Sequence, residues 1–198
     1  MFLLNEIIWL IVAYFIGSIP FSLIIGKIFS STDIRNHGSG NLGATNAIRV
    51  LGKKQGITAA VLDVFKSFIL VYLADKGIID VSFSPLYLGV AAAFGHCYPI
   101  FANFRGGKAV ATSAGAILAI SPLLFGIGVV IFFTILKVTK YVSLSSTLVA
   151  IVVILSAYLL GESTDTIIAS SILVLFIMYR HIPNYKRLIK GNENKANI

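Results

Sequence analysis

The run from Ala109 to Leu136, AVATSAGAILAISPLLFGIGVVIFFTIL, holds 28 residues without a charge. As one α-helix it would measure about 42 Å, which is long for the roughly 30 Å hydrocarbon layer of a bilayer and short for two full crossings. The flanking charges decide between the two. Arg105 and Lys108 stand before the run, and Lys137 and Lys140 stand after it. A single span would strand one of these basic pairs on the outer face. Two short spans, turning at Ser121-Pro122, keep both pairs inside, as the positive-inside rule requires.

The rest of the chain agrees with a membrane setting. Of its 198 residues, 57% are hydrophobic and 12% charged, with a mean hydropathy of +0.91, whereas a soluble domain carries about 25% charged residues. That excludes a soluble enzyme, a secreted disulfide scaffold and a disordered chain. The net charge of +8 lies in short clusters between apolar runs, so the expected partner is the lipid bilayer and not nucleic acid. The lone Cys97 cannot close an intrachain disulfide. The N-terminus carries Glu6 in place of a basic leader region and has no small-residue cleavage site, so it is read as a retained first span.

The other apolar stretches are Ile7–Gly26 (kinked at Pro20), Ile57–Ala74, Phe83–Ala102, Val142–Leu160 and Thr166–Tyr179. With the divided run they make seven transmembrane helices, some short, in an all-α polytopic bundle. The N-terminus is outside and the C-terminus cytoplasmic. This arrangement puts 14 of the 16 basic residues inside and five of the eight acids outside. Residues 1–198 are expected to form one domain.

The loops on the inner face are unusual. The first contains Gly38, Ser39, Gly40, Asn41, Gly43, Thr45, Asn46 and Arg49. Its glycines match the G-x-G-x-x-G dinucleotide spacing, but that motif needs a preceding strand in a βαβ unit. Gly38 and Gly43 also fit a P-loop, yet Ala44 stands where the phosphate-binding lysine belongs. What both motifs share is convergent backbone N–H groups and a helix start, here near Ala44, aimed at an anion. Thr45 and Arg49, four apart, share a helix face. A plain Gly/Asn turn would also account for this loop.

The second loop, GHCYPIFANFRGGKAVAT, places Arg105 and Lys108 around Gly106-Gly107 and ends at Thr112. The third segment, RHIPNYKRLIKGNE, carries His181, Asn184, Arg187 and Glu193, and KYVSLSS adds the hydroxyls of Ser143 and Ser146. The His96-Cys97 pair has no companion ligands, so no metal is expected. Asp63 and Lys66, three apart within a span, form either a functional intramembrane pair or one that only holds helices together.

Glycine- and base-rich segments on one face point to phosphate. These segments, with LDVFK around Asp63 and KYVSLSS, resemble the motifs of bacterial acyl-phosphate:glycerol-3-phosphate acyltransferases, in order, from Gly17 to Glu193. The resemblance implies a multi-pass enzyme of the bacterial inner membrane with its active site on the cytoplasmic side. It implies transfer of an acyl group from acyl phosphate to the sn-1 hydroxyl of glycerol 3-phosphate, without metal or organic cofactor; a monomer is the expectation for the chain, though its sequence does not fix the oligomeric state. Lys108, Arg49, His181, Asn184 and Ser39 would then be the catalytic set. Gly38, Gly40, Asn41, Gly43, Thr45, Asn46, Arg105, Gly106, Gly107, Thr112, Ser143, Ser146, Arg187 and Glu193 would bind substrate. The proton acceptor is either His181 or the donor's own phosphate. A small anion transporter would use similar basic loops, but transporters favour inverted repeats with midplane sites. A purely structural subunit leaves the glycine clusters unexplained.

Overall fold

The structure is a computed structural model and describes residues 2–196. Among these residues the regular elements are helices, and they group into two compact units, one up to Ile120 and the other from Ser121.

The first unit opens with α1 (Phe2–Gly17) and α2 (Phe21–Ser30). The sequence predicts one kinked span here, but the structure breaks it outright, with Ser18, Ile19 and Pro20 outside both helices. Pro20 has no N–H to return to Ile16, and its ring crowds that carbonyl. Ser18 caps the broken end by donating its hydroxyl to the Tyr14 carbonyl, 2.8 Å away.

After the first motif loop come α3 (Ala44–Leu51), which starts where the sequence predicts, α4 (Lys53–Asp75), α5 (Leu86–Cys97) and α6 (Val110–Ile120). α4 is the centre of this unit and packs on each of its other helices. Its buried positions include Gly56, Ala59, Asp63, Lys66, Leu70 and Ala74, a stripe at helical spacing. Three of these, Gly56, Ala59 and Ala74, are small, which lets backbones meet. A Cβ on Gly115 of α6 would strike the Val64 carbonyl, and one on Gly17 would strike the backbone of Ala92. Such small-residue contacts replace the hydrophobic effect as the packing force between helices in lipid.

The second unit is a three-helix run: α7 (Pro122–Thr139), α8 (Val142–Leu159) and α9 (Thr164–Ile189). The division at Ser121-Pro122 is as predicted. The Ser121 hydroxyl caps α7 by accepting from Leu124 N–H at 3.5 Å, and Pro122 takes the first helical position, where its missing N–H costs nothing. α8 packs against both α7 and α9. The sequence predicts that the last span stops at Tyr179. In the structure α9 instead continues through Pro183 to Ile189, so the third motif is helical over most of its length.

Five stretches are long and apolar enough to cross a membrane: Leu3–Ser30, Lys53–Asp75, Pro122–Thr139, Val142–Leu159 and Thr164–Ile189. Leu86–Ala102 and Val110–Ile120 are shorter apolar helices. Large apolar side chains such as Val130, Phe133, Val138 and Leu159 lie well exposed, the reverse of a water-facing surface.

Candidate functional site

In the first unit the first motif loop is held by its own side chains. Asn46, 2% exposed, accepts from the Ser39 N–H through Oδ1 at 2.9 Å. Its Nδ2 donates to the carbonyls of Ile34 and His37, each at 3.2 Å. Gly38 and Gly40 have φ of +60° and +68°, a region that side chains avoid. A Cβ on Gly38 would collide with the Asn46 amide. At the loop's start, Arg35 pairs with Asp33 at 2.6 Å, and the Arg35 hydrogen bond lowers the Asp33 carboxyl to about 2. Thr45 and Arg49 are exposed on α3.

The second motif loop meets the first. Asn41 Nδ2 donates to the Gly106 carbonyl at 3.2 Å, while its Oδ1 accepts from Gly43 N–H at 2.8 Å. Arg105 donates to the Arg35 carbonyl at 3.4 Å. Asn103, Phe104 and Ala109 adopt φ of 55°, 58° and 62°. Three side-chain-bearing residues in left-handed backbone around Arg105-Gly-Gly-Lys108 store strain, which collects at sites held for chemistry. Gly106 and Gly107 press against His96, leaving no room for a Cβ on either. Lys108 is half-buried beside them. Thr112, in the first turn of α6, is fully buried, and its hydroxyl has no protein hydrogen-bond partner.

Beneath this loop lies a grouping that is not legible in the sequence. Asp63 and Lys66 form the expected buried pair at 2.7 Å, and His96 joins it, with Nδ1 3.0 Å from Lys66 Nζ. His96 reads as a structural residue from the sequence alone, because nothing in the spacing shows that α5 brings it to α4.

In the second unit four predicted residues converge. Glu193 accepts from Asn184 Nδ2 at 2.6 Å, from Ser143 Oγ at 2.9 Å and from Arg187 Nε at 2.8 Å. Burial raises its carboxyl, but these hydrogen bonds and the Arg187 charge outweigh burial and hold it below its ordinary value. Ser146 is buried one turn beyond Ser143. His181, 2% exposed, has Nδ1 2.8 Å from the Ile177 carbonyl. A carbonyl only accepts, so Nδ1 carries the proton and a neutral His181 offers its lone pair at Nε2. The ring stacks on Tyr185, whose hydroxyl is 2.7 Å from that of Thr147.

Among the described residues no group of three or more His, Cys, Asp or Glu could hold a metal. The first unit carries Lys108, Arg49 and Arg105 beside its glycine turns, and the second carries Arg187, the Asn184 amide and the Ser143 and Ser146 hydroxyls. These recognise anionic oxygen.

The family model described as Glycerol-3-phosphate acyltransferase matches residues 7–191. A relative in Bacillus anthracis, Glycerol-3-phosphate acyltransferase 3, is 50% identical over 188 residues, covering 95% of this chain and 93% of its own. The Glycerol-3-phosphate acyltransferase of Bacillus subtilis (strain 168) is 47% identical over 187 residues, covering 94% and 95%. Among solved structures, the crystal structure of PlsY (YgiH), an integral membrane glycerol 3-phosphate acyltransferase, matches in its glycerol 3-phosphate form. The TM-score is 0.91 at 36% identity, over 97% of this chain and 96% of that one. Its lysophosphatidic acid form matches at 0.89 and 35%, over 97% and 95%.

Proposed function

From the premise that this chain belongs to the glycerol-3-phosphate acyltransferase family, we propose its reaction: an acyl group passes from acyl phosphate to the sn-1 hydroxyl of glycerol 3-phosphate. The products are lysophosphatidic acid and inorganic phosphate, at the start of bacterial phospholipid synthesis. One observation carries the reading. The solved protein that this chain matches over nearly its whole length is described in a glycerol 3-phosphate form and in a lysophosphatidic acid form. These are the acceptor and the product of such a transfer.

In the step, the glycerol hydroxyl oxygen bonds to the acyl carbon, and the bond from that carbon to the phosphate oxygen breaks. The bonding pair leaves with phosphate. An acyl phosphate is already activated, so positioning and charge stabilisation carry the catalysis, and the chemistry calls for no metal. Lys108 and Arg49 bind phosphate oxygens. Ser39, Gly40 and Thr45 form a cradle held open by Asn46 and Asn41, and Gly106 and Gly107 let backbone approach closely. In the second unit, His181 and Asn184 orient the glycerol or one of the phosphates. The hydroxyl proton goes to the departing phosphate, with His181 as an orienting acceptor at Nε2.

The motif loops face the cytoplasm in a seven-span arrangement with the N-terminus outside. Five long apolar stretches and two shorter apolar helices support that count, and the distribution of Lys and Arg supports the orientation. The purified protein in detergent should form lysophosphatidate and equimolar phosphate from acyl phosphate and glycerol 3-phosphate. Equal rates with acyl-CoA or acyl carrier protein, in the absence of acyl phosphate, would refute the donor assignment.

A further inference from the structure

Asp63 and Lys66 lie within α4, and His96 lies in the last turn of α5. The three are 1%, 3% and 6% exposed. Spacing alone accounts for the ion pair on α4, but not for the histidine. The Lys66 ammonium donates to Asp63 Oδ1 at 2.7 Å and to the Ile19 carbonyl at 3.1 Å. Its third neighbour is His96 Nδ1 at 3.0 Å, nearer than the 3.4 Å from that nitrogen to Asp63. An ammonium has three N–H bonds and no lone pair. The three contacts use all of them, so His96 Nδ1 accepts, and the proton of the neutral ring sits on Nε2.

That Nε2 faces the glycine pair. A Cβ on Gly107 would meet Nε2 first and then the ring carbons on either side of it. The Gly107 N–H donates to the His96 carbonyl at 3.0 Å, and Gly106 lies against the same carbonyl. His96 thus holds, by ring and by main chain, the two residues that lead into Lys108. Lys66, fixed in a long helix, decides which ring nitrogen carries the proton and how the ring is turned.

We propose that His96 is a positioning residue that keeps Gly106-Gly107-Lys108 in phosphate-binding shape, and that the Asp63–Lys66 pair acts through it by fixing its tautomer and orientation. The inference rests on the reading of Lys108 as a phosphate ligand. Neither Lys66 nor Asp63 touches substrate in this account; their effect is geometric. A displacement of about 1 Å at reacting groups can cost up to roughly a hundredfold in rate or affinity.

The test uses the full chain in detergent. Nitrogen-15 NMR of labelled histidine, with the His96 signals identified by their loss in His96→Gln, should show the Nε2–H tautomer in the wild type. An Nδ1–H tautomer or an imidazolium overturns the proposal. This measurement needs no substrate, so it is separate from the reading of the reaction, whose failure would show as absent transfer by the wild type. Asp63→Leu/Lys66→Met replaces the buried pair by apolar groups, a change that proteins often tolerate without loss of stability. Here it also takes the Lys66 donor from the Ile19 carbonyl, so the thermal midpoint should fall somewhat with the fold retained, and KM for one of the phosphate substrates should rise about tenfold, with a smaller change in kcat. Added to His96→Gln, it should raise KM no further than His96→Gln alone. An unchanged KM in a folded double variant, or effects that multiply, overturns the proposal. Should the double variant not fold, the wild-type tautomer decides.

Discussion

Replacing Asn46 by alanine would remove three hydrogen bonds from a side chain that is 2% exposed. A net bond is worth about 1 kcal/mol, and more when the abandoned group stays buried. The Ile34 carbonyl belongs to a fully buried residue and keeps only the long bond from the His37 N–H, at 3.3 Å, without gaining water. Ser39 is exposed, so its N–H can be rehydrated at little cost. The sum is about 2–3 kcal/mol, localised in the first motif loop. That corresponds to a roughly 30- to 150-fold shift of the loop's closing equilibrium, at 1.4 kcal/mol per factor of ten. Hydrogen exchange reads this directly, because local opening governs the amide rates. In Asn46→Ala the Ser39 amide should exchange faster by about that factor, and lysophosphatidate formation should fall with it. Asn46→Asp keeps the acceptor for Ser39 but sets a carboxylate oxygen against two carbonyls, so it should be no better than alanine. Wild-type protection of Ser39 in Asn46→Ala, or full turnover in Asn46→Asp, would refute the account of Asn46 as the strut of this loop.

Lys108→Ala should lose at least tenfold in transfer rate, since a charge-assisted hydrogen bond is worth about 1.5–3 kcal/mol; near-normal turnover of the folded variant rejects the assignment. In a Cys97→Ser background, single cysteines at His37, Arg105 and Lys190 should resist an impermeant thiol reagent in intact cells. Cysteines at Asp80 and Glu162 should react, and outside labelling at position 105 overturns the seven-span arrangement. His181→Gln should keep substantial activity and the rising limb of the pH profile if the departing phosphate takes the proton. Loss of both makes His181 the base, with a limb near its ordinary pKa of about 6.5. Glu193 is held below its ordinary 4.5, so its tie to Asn184, Ser143 and Arg187 is complete above that value and lost as the pH falls through the lowered one. The Asn184 side-chain amide resonance should therefore titrate below 4.5 and not above, and Glu193→Gln should abolish the titration.

The division of the long apolar run was legible because charges on either side and a Ser-Pro pair within it spoke to the same point. The start of α3 was legible from the glycines before it and the helical spacing of Thr45 and Arg49. The end of α9 was not. Hydropathy falls at Arg180, where the chain turns polar, but a helix needs only its hydrogen bonds to continue, and it runs on past the apolar stretch. The break at Pro20 read as a kink because proline permits either outcome, and packing chooses. In the site, residue types and spacing identified the motif loops. They could not separate a strut from a ligand: Asn46 and Asn41 read as substrate donors, and their amides hold loop backbone. The meeting of His96 with Lys66 depends on how α5 lies along α4, a tertiary fact with no local signature.

The gap between α1 and α2 bears on how the chain is made. A helix interrupted within the bilayer leaves carbonyls that no water can satisfy; the Ile19 carbonyl has the Phe21 N–H at 3.2 Å and takes its second donor from Lys66, 47 residues further along. At about 5–20 residues per second of synthesis, that donor emerges from the ribosome roughly 2–10 s after the segment it serves. Until then the nascent first segment has reason to remain an unbroken helix, or to wait near the headgroups. Its mature shape is therefore set by a later arrival, and a chain truncated before Lys66 should insert its first segment in a different form from the finished protein.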